Sequence, residues 1–196
     1  RPLSPCILIW GGNALVVATG GIINGGNSNF FNNIIDGSLT AGTSSSPAEL
    51  FYNINSGTQN VYIGANITDN LAGGQVSFVI DGITGNSNVR LSAANTYTGK
   101  TYLTMAPGVN QTDVLYILTD RQLGAEPTTF QADNITLANG STLAFAPNVM
   151  PVAISSDRGI TLAAGGGILG FGISGSSYGG NYDFNNVVSG VGALQV

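Results

Sequence analysis

Histidine is absent from this chain, and cysteine occurs once, as Cys6. Without histidine, Ser-His-Asp and Cys-His catalysis, the zinc-protease motifs and most transition-metal sites are excluded. One cysteine allows neither an internal disulfide nor a thiolate metal cage. Charge is scarce as well: Asp, Glu, Lys and Arg make up 8% of the 196 residues, against roughly a quarter in ordinary soluble chains. The five cations, Arg1, Arg90, Lys100, Arg121 and Arg158, are scattered through a chain of net charge −5. They build no basic stripe, so nucleic acid is set aside as a partner, and so is an anionic membrane surface.

What replaces charge is glycine, at 29 positions, with abundant Asn, Ser and Thr and 43% hydrophobic residues. Recurring Val, Ile, Leu and Phe distinguish the chain from a disordered polar one, and its length suffices for a single domain with a sizeable core. The apolar run Cys6 to Ile23 is broken by Gly11, Gly12, Asn13, Gly20 and Gly21. It reads as two buried strands with a turn between them rather than as a membrane span.

No window sustains helical periodicity. Strand-like runs return instead, each closed by Gly, Asn, Asp or Ser. They are Cys6–Trp10, Ala14–Ala18, Leu50–Ile54, Val61–Ile63, Val76–Ile80, Val89–Ser92, Thr101–Met105, Val114–Leu118, Ile135–Ala138, Thr142–Phe145, Ile160–Ala163 and Ile168–Phe171. The last two pairs are near copies: Ile135-Thr-Leu-Ala with Leu143-Ala-Phe145, then Ile160-Thr-Leu-Ala with Leu169-Gly-Phe171. Their 25-residue offset lies in the range of solenoid repeats. A longer echo links Asn66–Val76 to Asn186–Val196, both reading as strand, glycine turn and next strand. A coil of about 20–30 residues cannot bury its apolar face alone, so it must stack on neighbours. Corners between strands then favour Gly and Asn, and asparagines at matching corners can form ladders.

The segment Leu91-Ser-Ala-Ala-Asn95-Thr96-Tyr97-Thr98-Gly99-Lys100-Thr101 resembles the autotransporter-associated β-strand repeat, whose motif runs roughly Leu-Ser-Gly-Ala-Asn-Thr-Tyr-Thr-Gly-Gly-Thr. Ala93 stands where that motif has glycine, and Lys100 replaces the second glycine of its pair. Asp157-Arg158-Gly159-Ile160-Thr161-Leu162, the glycines 165–167 and Ser189-Gly190-Val191-Gly192 are similar to the spacer before it. The similarities cover most of Gln75 to Val196, and Ala14 to Asp69 more loosely. The resemblance implies a parallel β-helical passenger of a large exported bacterial protein, structural or adhesive, at the cell surface or outside it. It carries no catalytic residue over to this chain.

Gly99-Lys100-Thr101 suggests a phosphate loop, but Ala94 stands where the first glycine belongs and an alternating strand follows instead of a helix. The acids Asp36, Glu49, Asp69, Asp81, Asp113, Asp120, Glu126, Asp133, Asp157 and Asp183 are spread as turn-forming acids should be. Only stacking could pair them for glycoside cleavage. Asp120-Arg121 and Asp157-Arg158 read as a turn aspartate beside an exposed arginine, with a saccharide clamp as the sharper reading. Tyr97, Tyr102, Tyr116, Tyr178 and Tyr182 could stack on sugars but more often cover a core. Trp10 reads as a core or end-cap residue. Asn66, Asn110, Asn134 and Asn139 match the glycan acceptor pattern.

The expectation is an all-β, right-handed parallel β-helix (a β-solenoid) spanning 1–196, with an irregular protruding loop over Asn24–Pro47. It is expected to be part of a longer repeat protein continuing past Val196. Its expected role is that of a non-enzymatic extracellular scaffold or adhesin with no catalytic, cofactor or metal residues. Partners are further copies stacked end to end, or a host or matrix glycan or protein, with no membrane insertion of this segment. The alternative is a polysaccharide-binding or polysaccharide-cleaving β-helix; an antiparallel lectin-like or pilin-like sandwich is a third possibility.

Overall fold

The computed structural model describes residues 6–8, 12–19, 21–24, 31–54, 60–82, 88–104, 114–145, 153–171 and 184–196. Short apolar runs in this chain alternate in and out, as β7 (Asn60–Ile63) and β10 (Asn88–Leu91) do, burying every second residue. Such a run hides only one face, and one coil supplies too few of them for a core. The solution is stacking.

Three parallel sheets result. The first orders β1 (Cys6–Leu8), β4 (Phe31–Ile35), β7, β10, β12 (Val114–Ile117), β14 (Ser141–Phe145), β16 (Gly167–Phe171) and β18 (Leu194–Gln195). The second orders β3 (Gly21–Asn24), β6 (Ala48–Ile54), β9 (Val76–Gly82), β11 (Thr101–Leu103), β13 (Gln131–Leu137), β15 (Arg158–Leu162) and β17 (Val188–Gly190). The third is short: β2 (Ala14–Val17), β5 (Ser38–Ala41) and β8 (Asn66–Ile67). Among the described strands every pairing is parallel, which makes the chain a β-solenoid and removes the antiparallel sandwich.

Register stacks like on like. In the first sheet Val61, Val89, Leu115, Leu143 and Leu169 form one buried column. In the second, Leu50, Phe78, Thr101, Ile135 and Ile160 form another, and Leu15, Leu39 and Ile67 line up in the third. Each fully buried aliphatic member contributes about 1.5–3 kcal/mol of transfer free energy. The near copies found in the sequence are true neighbours: Ile135 lies opposite Ile160, Leu143 opposite Leu169 and Phe145 opposite Phe171.

Several expectations need correction. The described residues of Asn24–Pro47 contain β4 and β5, both paired on two sides, so no single lateral loop spans that stretch; residues 25–30 lie outside the described residues. Asparagines conceal β4 in the sequence, and residues 36–37 and 42–47 lack strand structure. The run Cys6–Ile23 contributes to three strands rather than two, and β2 is half-exposed, with Val16 open to solvent. The echo between Asn66–Val76 and Asn186–Val196 is local only: β8 belongs to the third sheet, whereas β17 belongs to the second. Asn139 and Gly140 take left-handed backbone (φ 58° and 76°), yet they turn a corner between β13 and β14, which lie in different sheets, and close no hairpin.

The third sheet stops at β8 because the repeat-like motif follows. Asn95 sits over the Ile67 edge, where its Oδ1 accepts from the Ile67 amide (2.9 Å) and its Nδ2 donates to the Gln122 carbonyl (2.6 Å). The buried carboxamide works beside the main chain of the corner, where the Thr96 amide donates to the Ile67 carbonyl (2.8 Å) and the Asn95 amide to the Arg121 carbonyl (2.9 Å). Gly99 comes so close to the preceding rung that a Cβ would lie 2.3 Å from the Val76 carbonyl oxygen. Gly99→Ala is accordingly expected to destabilise the fold by about 1–3 kcal/mol, read as a fall in the urea midpoint at unchanged slope. A neutral substitution would show that this approach is not required.

Candidate functional site

The residues that attracted chemical readings are mostly committed to stacking. Tyr97 is fully buried, tilted against Phe78 at 6.3 Å, with its hydroxyl 2.6 Å from Thr101 Oγ1. It cannot meet a sugar. Thr98 donates to Asp69 through both its hydroxyl (2.6 Å) and its amide (3.0 Å), while the Val76 amide donates to the same carboxylate (2.8 Å). Lys100 forms an ion pair with Asp133 on an exposed surface, so its ammonium is engaged where a phosphate loop would need it for ligand. That hydrogen bond with Asp133 raises the Lys100 pKa above its ordinary value.

Arg158 departs furthest from expectation. The sequence suggested an exposed arginine beside a turn aspartate; the side chain is instead completely buried. The two similar dipeptides cross-pair, the arginine of the second meeting the aspartate of the first. Arg158 Nε and Nη2 donate to the two carboxylate oxygens of Asp120 at 2.8 and 3.1 Å. Nη1 donates to Asn134 Oδ1 (2.7 Å) and the Leu123 carbonyl (3.1 Å), and Nη2 also donates to the carbonyls of Gly124 (2.9 Å) and Ala125 (3.1 Å). A planar fork with five N–H donors suits this nest; an ammonium does not. The carbonyls come from the end of a 3-10 helix, Asp120–Leu123, and the turn after it. Asn134 is buried here as well, which removes it as a glycan acceptor in the folded chain.

The remaining acids are separate. Asp81 accepts from Asn53 Nδ2 (3.4 Å) and Thr104 Oγ1 (3.3 Å), Asp36 accepts from the amide of Gly37 (2.9 Å), and Glu49 lies in register with Ser77. No two acids are register partners among the described strands, and no cluster of three His, Cys, Asp or Glu occurs among the described residues. Trp10, Asn110, Asp113, Tyr178, Tyr182 and Asp183 lie outside the described residues. No helix among the described residues is long and apolar enough to cross a membrane.

Chemistry that remains open to solvent lies on the outward faces. Tyr102 stands on the second sheet between Val79 and Thr136. On the first sheet Tyr62, Arg90 and Tyr116 form one column beside Asn60 and Asn88. The sequence carried a signal for this column in the aligned tetrapeptides Asn60-Val-Tyr-Ile63, Asn88-Val-Arg-Leu91 and Val114-Leu-Tyr-Ile117. Of these outward residues the sequence singles out Tyr116 as one that could stack on sugars, without grouping it with Tyr62 and Arg90.

No family model, curated protein or solved structure matches this chain.

Three outcomes follow from the buried groups. Asp120→Asn leaves the Arg158 charge uncompensated and is expected to cost about 3–5 kcal/mol in urea unfolding. Arg158→Lys is expected to be destabilising too, because three donors cannot serve six contacts. For Tyr97, burial pushes the phenol pKa well above its ordinary value, with the Thr101 hydrogen bond acting in the opposite sense. The folded chain keeps a proton that the unfolded chain releases above about pH 10. The stability from this linkage is complete below that pH and is lost as pH rises through the folded-state value. Unfolding free energy measured from pH 8 to 11 should fall in the parent and fall less in Tyr97→Phe.

Proposed function

We propose that this chain is a non-enzymatic extracellular scaffold, structural or adhesive, of the autotransporter-passenger kind. One observation carries the reading: the residues that look chemically capable are spent joining rungs. Asn95, Tyr97, Thr98 and Gly99 of the repeat-like motif each complete a contact between neighbouring coils, and Arg158 and Asp120 do the same deeper inside. A chain that invests its polar groups this way gains length and a regular outer face, which suits a stalk that holds binding features away from a cell. End-to-end association belongs to the same proposal, because parallel rungs can continue their stacking from one copy to the next.

The test is an assay of the purified chain against a panel of acidic and neutral polysaccharides, with and without calcium. No release of reducing or unsaturated ends is expected. Turnover that disappears on Asp81→Asn would replace the scaffold by a polysaccharide-cleaving β-helix. Antibody labelling of intact source cells, lost after brief surface proteolysis, is the expected result for location; label that persists after proteolysis would overturn it.

A further inference from the structure

The outward face of the first sheet carries a groove of about 140 Å³ lined by Asn60, Tyr62, Asn88, Arg90 and Tyr116. All five side chains are half-buried, so their stems are held while their polar ends reach solvent. Tyr62, Arg90 and Tyr116 occupy the same position on three successive rungs. Beside them Asn88 Nδ2 donates to Asn60 Oδ1 at 3.2 Å, a two-step amide ladder along the stack. The Arg90 guanidinium carbon lies 5.5 Å from the centre of the Tyr62 ring, which orients the fork across the column.

Charge distinguishes this groove. Lys100 and Arg158 are each neutralised by an aspartate, whereas Arg90 makes no ion pair among the described residues. In a chain of net charge −5, it is a cation set between two aromatic rings and two uncharged amides, with no ion-pair partner among the described residues.

We propose that this groove binds an acidic pyranoside, a uronate-bearing stretch of polysaccharide. The carboxylate takes the Arg90 fork through two parallel hydrogen bonds. The apolar face of the pyranose ring lies on Tyr116, and Asn60 and Asn88 offer both donors and acceptors to its hydroxyls. Tyr62 and Tyr116 are two strand spacings apart, about 10 Å, so the column suits two or three sugar units rather than one. An acidic peptide is the poorer fit, because it presents no apolar ring faces to the tyrosines. Binding is scored on the isolated chain, so its failure leaves the scaffold proposal standing.

The experiment is calorimetric titration of the chain with trigalacturonate, with cellotriose and hexaglutamate titrated in parallel. Saturable binding of trigalacturonate is expected, weakening as salt rises. Arg90→Gln and Tyr116→Ala are each expected to lower affinity by about tenfold or more. Thermal melts of both variants verify folding. If Arg90→Gln melts early, Arg90→Lys, which keeps the charge and loses the fork, is titrated in its place and must bind more weakly than the parent. The proposal is overturned by absent trigalacturonate binding, by equal affinity for cellotriose or hexaglutamate, or by Arg90 variants that bind as the parent does.

Discussion

Everything in this fold depends on register between parallel neighbours. A rung has no core of its own, and its inward residues are dry only because the corresponding residues of the rungs above and below cover them. Once Val89 is set between Val61 and Leu115, the backbone hydrogen bonds, the outward side chains and the corners fall into place together. Shifting one strand by a single residue would turn its buried set to solvent.

That constraint explains where polar residues enter the interior. Thr101 occupies an inward position between Phe78 and Ile135, and it is tolerated because the Tyr97 hydroxyl reaches it. Asn95 is tolerated because its carboxamide is satisfied at both ends, accepting from the Ile67 amide and donating to the Gln122 carbonyl. Arg158 is tolerated because a carboxylate, a carboxamide and three carbonyls surround it. Buried polar groups cost several kcal/mol unless paired; Asn95 and Arg158 find their partners on neighbouring rungs, and Thr101 finds Tyr97 within its own.

Strands and repeat were legible where the inward residues are aliphatic, as in Ile135-Thr-Leu and Ile160-Thr-Leu, because period-two alternation and a fixed offset both survive in the letters. Legibility failed at β4, whose central asparagines conceal the pattern, and at the Asn66 and Asn186 echo, where similar letters serve different sheets. Arg158 was misread for a different reason. Its partner lies 38 residues earlier, more than one coil away, and no local window reveals that distance. The outward column of Tyr62, Arg90 and Tyr116 was visible as letters but not as a group, since only stacking brings it together.

The linkage between Asp120 and Arg158 has an evolutionary side. Solenoids grow by duplicating coils, and most coils here meet their neighbours through interchangeable aliphatic residues. The two coils that share this ion pair are not interchangeable, because an extra turn inserted between them would separate the charges and strand an arginine in a dry interior. Gene duplication could therefore lengthen the solenoid on either side of that joint while leaving the joint itself a fixed, indivisible unit.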